Sequence, residues 1–204
     1  MKMPLTSVRG RIRDYIERHA DKLGDDVLEV GSRIGRPECW WIVNRDLARG
    51  RWTGMDMQPG EGVDVVADLH SLPYEWAGRF TGVLCSEVLE HVARPWIALP
   101  ELRAVIRPGG WIVITTLFAF PEHGYPDDYY RYSRSGLHLL LEDAGFVDIQ
   151  TEYAATTLFR LNDHGEGPDV ERRVPMHVFA VGRVPMRSIE ITTIGDAKPR
   201  YIEC

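Results

Sequence analysis

Cysteine is scarce in this chain. Cys39, Cys85 and Cys204 are its only three, too scattered for a disulfide framework or a Cys-rich zinc site. Reduced thiols and a cytoplasmic setting are the expectation. No run approaches the roughly 18 apolar residues that span a bilayer. The opening Met1-Lys2-Met3-Pro4 leads into a charged amphipathic segment rather than an apolar leader. Positive charge is not in excess either: the formal net charge is −6 at pH 7, which argues against a broad electrostatic footprint for nucleic acid. Internal repeats and low-complexity tracts are missing, which argues against solenoids and disordered linkers. What remains is 204 residues with 44% hydrophobic and 26% charged content, the composition of one globular domain with a sizeable core.

Hydrophobic periodicity divides that domain into alternating helices and strands. Thr6 or Ser7 can cap a helix to about Lys22, with Val8, Ile12, Tyr15, Ile16 and His19 on one face and Gly24 as its stop. Val27-Leu28-Glu29-Val30 reads as a buried strand that gives way to a turn at Gly31. The apolar stretch from Pro37 to Leu47 predicts a returning helix. Strands are predicted over 51–57, 63–68, 80–85 and 111–116, with a short helix or loop over 71–79. A helix over 95–106 is expected to end at Pro108-Gly109-Gly110. Residues 117–134 read as a loop crowded with aromatic side chains, and a long loop in a compact domain is usually functional. Ser135 is expected to cap a helix through Ala144. Residues 146–153 and 176–184 look like two closing strands that pair antiparallel. This alternation makes the fold class α/β, a doubly wound sheet, in a single domain over 1–184 with a tail over 185–204.

Three acidic residues fall at the carboxyl ends of successive predicted strands: Glu29, Asp56 and Asp68. In an open parallel sheet those ends line one crevice. Asp56, about twenty residues after the glycine turn, is placed to take both hydroxyls of a ribose. Asp68 can accept a hydrogen bond from an exocyclic amine such as N6 of adenine, with Met57 or Leu69 against the ring. Each is also an ordinary strand-end or capping residue; their succession beside a glycine turn is what favours a nucleoside. The dinucleotide pattern Gly-x-Gly-x-x-Gly is absent, because Arg33 stands at its second glycine. Glu29 instead aims negative charge at the turn, which suits a cationic or amine-bearing ligand and repels phosphate. S-adenosylmethionine, an adenosine joined to a sulfonium and an amino acid, fits that pattern.

The ordered set Leu28-Glu29-Val30-Gly31-Ser32-Arg33-Ile34-Gly35, Gly54-Met55-Asp56, Val65-Val66-Ala67-Asp68-Leu69, Ser86-Glu87-Val88-Leu89-Glu90-His91-Val92 and Pro108-Gly109-Gly110 resembles a class I S-adenosylmethionine-dependent methyltransferase of the type 11-like kind. A narrower likeness runs from Phe120 to Tyr132, where a His-Gly-Tyr-Pro-x-Asp-Tyr loop resembles a bacterial subgroup associated with glycan or secondary-metabolite pathways. The resemblance covers roughly residues 25–150, the expected cofactor-binding core behind an N-terminal helix in 1–24. It implies a Rossmann-like sheet of seven strands, mostly parallel, with the last inserted antiparallel. It also implies that Glu29 and Gly31, with Ser32 and Gly35 in the same turn, border the methionine part of the cofactor. Asp56, with Met57 beside it, would hold the ribose, and Asp68 with Leu69 the adenine. Ser86 and Glu87 would lie where the methyl faces its acceptor. Arg33 departs from the commoner glycine, and turning aside to pair with an acidic neighbour is the favoured reading over reaching the cofactor carboxylate.

Methyl transfer from a sulfonium is an in-line displacement in which charge is lost. Proximity and alignment can supply roughly 7–11 kcal/mol of the barrier, so no dedicated acid is obligatory. A hydroxyl or protonated-amine acceptor still needs a base near neutral pH. His123 is the first candidate, followed by Asp128 and His91, with Arg131 expected to pair with Asp128 and order the loop. His123, Asp127 and Asp128 are metal-ligand types, but clustered acids in a Tyr/Pro loop are usually turn formers, so no metal is expected. The expected acceptor is a small molecule or a glycan-type compound. Nucleic acid is disfavoured further because no Asn-Pro-Pro-Tyr-like tetrapeptide follows the fourth strand. No membrane partner is expected, and no oligomeric state is implied. The alternative, for which Arg33 is the hint, is a non-catalytic nucleoside-binding or regulatory domain of the same fold.

Overall fold

The computed structural model describes residues 7–34, 44–124, 127–161 and 170–186. In chain order the elements are α1 (Val8–Leu23), β1 (Asp26–Val30), β2 (Arg51–Asp56), β3 (Val65–Val66), β4 (Phe80–Ser86), α2 (Pro95–Val105), β5 (Ile106–Leu117), α3 (Arg134–Asp143), β6 (Val147–Leu161) and β7 (Val170–Arg183). Short 3₁₀ turns stand at Arg45–Leu47, Tyr74–Trp76 and Leu89–His91.

The strands form one seven-stranded sheet in the order β3-β2-β1-β4-β5-β7-β6. Strands β1 to β5 pair in parallel, whereas β7 is antiparallel to both β5 and β6. This is the mostly parallel Rossmann-like sheet with an inserted last strand that the resemblance implies. Its central strands are apolar on both faces, as parallel strands covered on each side must be. Val27, Leu84, Val113 and Phe179 pack with Ile12, Tyr15 and Ile16 of α1. Their neighbours Leu28, Val83, Ile112 and Val178 pack on the other face with Leu99 and Leu102 of α2 and Leu137 and Leu141 of α3. The period-two alternation of strand side chains therefore builds a three-layer core.

Ser7 caps α1, its hydroxyl accepting from Gly10 N at 3.0 Å, and Gly24 ends the helix. Other boundaries differ from the sequence expectations for identifiable reasons. The third strand shrinks to Val65–Val66 because the Asp64 carboxylate takes the Gly54 N–H at 2.7 Å, the place a strand carbonyl would fill. Asp68 then lies in a tight turn, with Ser71 N donating to its carbonyl at 3.0 Å, rather than at a strand end. Pro108-Gly109-Gly110 does not end a helix. Helix α2 stops at Val105, and residues 107–110 are an excursion inside β5 between the partners of Phe80 and Gly82. A Cβ on Gly110 would lie 2.5 Å from the Thr81 carbonyl, so only glycine passes there. The cap of α3 is Ser133, accepting from Gly136 N at 3.0 Å, two residues before the expected Ser135. The closing hairpin is longer than expected at both strands. Residues 35–43, which hold Gly35 and most of the helix expected over 37–47, lie outside the described residues, as does 187–204 of the expected tail. No helix among the described residues is long and apolar enough to cross a membrane.

Candidate active site

The carboxyl ends of β1, β2 and β4 border two compartments. The larger is a cleft of about 530 Å³, within the range of small-molecule sites. Asp56 and Met57 line it from the end of β2, Asp68 and Leu69 from beyond β3, Glu87 and His91 from beyond β4, and His123 and Tyr129 from the loop after β5. The smaller compartment, about 70 Å³, is lined by Glu29, Ser32, Asn44 and Ser86 among others. Gly31, Arg33 and Glu87 border both. Gly31 has φ 71° and a Cβ there would collide with the Val88 side chain, so the turn needs a residue without one.

Glu29 is buried. Its carboxylate is held on both sides: Asn44 Nδ2 donates to Oε1 at 2.8 Å and Trp52 Nε1 to Oε2 at 2.7 Å. Burial raises its pKa, and those two donors oppose the rise. The carboxylate is therefore fixed as part of the wall of the smaller compartment rather than standing free in the crevice. Ser32 Oγ and Asn44 Oδ1 beside it are enclosed without a hydrogen-bond partner among the described residues. Glu29, Asn44 and Ser32 thus bring a carboxylate, an amide oxygen and a hydroxyl to this wall, the last two enclosed within it, groups of a kind suited to an ammonium.

Asp56 accepts from Gln58 N at 2.9 Å and, more weakly, from Arg33 N at 3.4 Å. The Arg33 guanidinium turns to Gln58 Oε1 at 3.0 Å. Its expected acidic partner is replaced by a neutral amide, with only the backbone N–H of Arg33 facing a carboxylate. Asp68 is bound by its own turn: His70 donates its backbone N–H at 2.9 Å and brings Nδ1 to 2.7 Å from Oδ1. The backbone donor first, and the ring second, hold this carboxylate below its ordinary value. Ser86 Oγ shares a hydrogen bond with Thr115 Oγ1 at 2.8 Å.

The aromatic loop is ordered by one ion-pair system. Arg131 grips Asp128 with two nitrogens at 2.5 and 2.6 Å and also donates to the carbonyls of Phe120 and Pro121. His123 offers its backbone N–H and Nδ1 to Asp128 Oδ2 at 2.8 and 3.1 Å. The Arg131 guanidinium holds Asp128 well below the usual carboxylate range. Tyr130 and Tyr132 anchor the loop through hydroxyls donated to the carbonyls of Ala93 and Leu89. His91 faces the Asp127 carbonyl at 2.6 Å and packs edge-on against the His123 ring.

Below the loop lies Glu90, fully buried, with Thr116 Oγ1 donating to Oε2 at 2.8 Å. Burial, and then the neighbouring Glu87, push its pKa up to about 8. Glu90, His91 and His123 each bring one ligand-type atom within 4.8 Å of the others. This trio differs from the His123, Asp127 and Asp128 set weighed from the sequence, because Arg131 occupies Asp128. Sequence reasoning also assigned no role to Asn44, Trp52, His70, Glu90 or His177. Glu90 lies within the motif that follows β4, but its burial is a product of packing; His70 turns back on Asp68 only two residues away, whereas Asn44, Trp52 and His177 stand far from their partners along the chain.

A family of methyltransferase domains matches residues 5–151. The chain belongs to that family. This methyltransferase domain is 33% identical over 132 residues to a ubiquinone biosynthesis O-methyltransferase of Chromobacterium violaceum, covering 56% of this chain and 53% of the relative. It spans about half the length of the curated relatives it matches. Among solved structures, an S-adenosylmethionine-dependent methyltransferase from Archaeoglobus fulgidus superposes with a TM-score of 0.60 at 18% identity, over 87% of this chain and 95% of that one. The 1,6-didemethyltoxoflavin-N1-methyltransferase of Burkholderia thailandensis, solved with S-adenosylhomocysteine, gives 0.57 at 17% identity over 85% and 78%. At such identities the likeness is one of fold.

Proposed function

We propose that this methyltransferase domain uses S-adenosylmethionine to methylate a hydroxyl of a small-molecule or glycan-type acceptor. The observation that carries the reading is the smaller compartment, whose buried carboxylate, amide oxygen and hydroxyl adjoin, across Gly31, a cleft that carries Asp56 and Asp68. Strands β2–β3 and β4–β5 lie on opposite sides of β1 in the sheet, so a ligand crossing β1 would reach from one group of side chains to the other. Glu29, Ser32 and Asn44 would take its ammonium. Asp56 would take the ribose hydroxyls, and Asp68, Leu69 and Met57 the adenine. When bound, the cofactor supplies an electrophilic methyl carried on a sulfonium. The acceptor would then lie among Glu87, His91, His123 and Tyr129.

With Asp128 held anionic by Arg131, His123 donates Nδ1–H to it and leaves Nε2 free to take the acceptor's proton. Asp128 is then a positioning residue rather than the base. The names of the curated relatives, O-methyltransferases of ubiquinone biosynthesis, support oxygen as the accepting atom, and the loop's likeness to a glycan-associated subgroup keeps sugar hydroxyls in view. Calorimetry with S-adenosylmethionine and S-adenosylhomocysteine, followed by a screen of phenols and glycosides for S-adenosylhomocysteine release, tests the reading. Micromolar binding with turnover on one acceptor class is expected; no binding at millimolar ligand overturns it.

A further inference from the structure

Glu87, at the border of the two compartments, is paired with a buried histidine. His177 stands on β7, between Leu117 of β5 and Ala154 of β6. It is 2% exposed, with the rings of Phe120 and Phe179 nearby, each 6.3 Å between centroids. Its Nε2 lies 3.0 Å from Glu87 Oε2. The other imidazole nitrogen, Nδ1, is enclosed with no partner among the described residues, as is Glu87 Oε1. A bare Nδ1 is tolerable as the acceptor atom of a neutral ring whose proton sits on Nε2, so the geometry selects the tautomer that donates to Glu87.

Glu87 is held by its backbone as well. It has φ 54°, a left-handed conformation uncommon for a residue with a side chain, while its N–H donates to the Thr115 carbonyl at 2.8 Å. Such conformations persist where the surroundings over-determine them, and they cluster at ligand sites. Here the strand end, the hydrogen bond to β5 and the imidazole of β7 together fix one carboxylate where both compartments meet. The second carboxyl of the neighbourhood, Glu90, is kept largely neutral by burial and by Glu87 itself. Of the two carboxyl groups, Glu87 is the one that lines both compartments, and Glu90 lines neither.

We propose that Glu87 and His177 form a charge-selective subsite for the cationic centre of the ligand. Glu87 supplies the charge, and His177 is the positioning residue that holds the carboxylate at the junction. This rests on the cofactor reading above and adds to it how the site would tell the charged donor from its neutral product. A carboxylate near a sulfonium favours the methylated form over S-adenosylhomocysteine, so the product is released more readily than the donor.

Two probes isolate that charge without an acceptor or turnover: S-adenosylhomocysteine, and sinefungin, which carries an ammonium where the transferable methyl stands. Calorimetry on the full chain is expected to show sinefungin bound at least about tenfold more tightly. The ratio should collapse toward one in E87Q and H177F and survive in H177Q, whose amide N–H can still donate to the carboxylate. A merely structural His177 would weaken both ligands alike and leave the ratio unchanged in H177F, and that result overturns the proposal. So does a wild-type ratio near one. Should H177F fail to fold, E87Q tests the charge, and the imidazole nitrogen shifts of His177 test the pairing; a proton on Nε2 is expected, and a bare Nε2 overturns it. If the wild type binds neither probe, the cofactor reading falls and this inference with it. Binding with a ratio indifferent to E87Q removes this inference alone.

Discussion

At the scale of single residues, the site depends on carboxyl groups whose surroundings pull them in opposite directions. Glu90 has a raised pKa, about 8 against its usual 4.5, chiefly from burial. A folded-state pKa above the unfolded one means that the group stabilises the fold while protonated. That contribution is complete below about pH 4.5 and is lost as pH rises through about 8. Replacing Glu90 by glutamine keeps an acceptor for the Thr116 hydroxyl and removes the charge. E90Q should therefore be more stable than wild type at pH 8.5, on the order of 1–3 kcal/mol, with the gap closing toward pH 5. Urea melts at the two pH values check this, and an equal difference at both would contradict it. Asp56 tests the nucleoside assignment on the other side of β1. Among the described residues its carboxylate receives one good donor, the Gln58 N–H, and so retains capacity for a ligand. D56A should weaken S-adenosylhomocysteine binding at least about tenfold, the loss expected for hydrogen bonds to a charged group. Calorimetry reads the change.

Elements show how far residue pattern alone can reach. Strands β1, β4 and the latter half of β5 were legible because buried parallel strands carry apolar runs, and α1 because its cap and one apolar face agree. The third strand misled because its alternating valines say nothing about Asp64, whose carboxylate takes a backbone N–H of β2. Pro108-Gly109-Gly110 misled for a related reason: a helix stop and a strand excursion use the same residues, and only the approach of the Thr81 carbonyl to Gly110 separates them. At α3 the choice between two serines two residues apart was decided by where Tyr132 anchors the preceding loop to the Leu89 carbonyl. That register has a direct consequence. S133A should destabilise the domain by about 1 kcal/mol through loss of the cap, whereas S135A, at an exposed helical position, should stay within about 0.5 kcal/mol of wild type. Thermal melts of the pair check the assignment. The candidate site was legible to the same degree. Glu29 and Asp56 at their strands and His123 with Asp128 were readable from local order, while Asp68 lies in a turn that its strand-like surroundings did not announce; the partners Asn44, Trp52, Arg131 and His177 are brought in by folding, and only Arg131 lay close enough in sequence to be foreseen.

For the molecule as a whole, a cleft of about 530 Å³ at the sheet's carboxyl edge makes stability a function of ligand. A ligand that binds only the folded state at a hundredfold excess over its Kd adds about 2.7 kcal/mol. In a domain of this size that is a rise in Tm of roughly 5–10 °C. S-adenosylhomocysteine is expected to give such a shift and adenosine alone a smaller one, because adenosine leaves the compartment of Glu29, Ser32 and Asn44 unfilled. Equal shifts in a thermal melt would remove that compartment from the binding site.

The placement of β7 between β5 and β6 has a consequence in time as well as in space. This strand is synthesised after β6, yet the sheet cannot join β6 to β5 without it. While the chain emerges from the ribosome, the outer edge of β5 stays open and β6 has no neighbour, a condition that invites pairing with other chains. Both vacancies are filled when residues 170–183 arrive, and the same arrival brings His177 to Glu87. Closure of the sheet edge and the pairing of His177 with Glu87 are thus acquired in one late step, governed by contacts far apart along the chain and correspondingly slow to form.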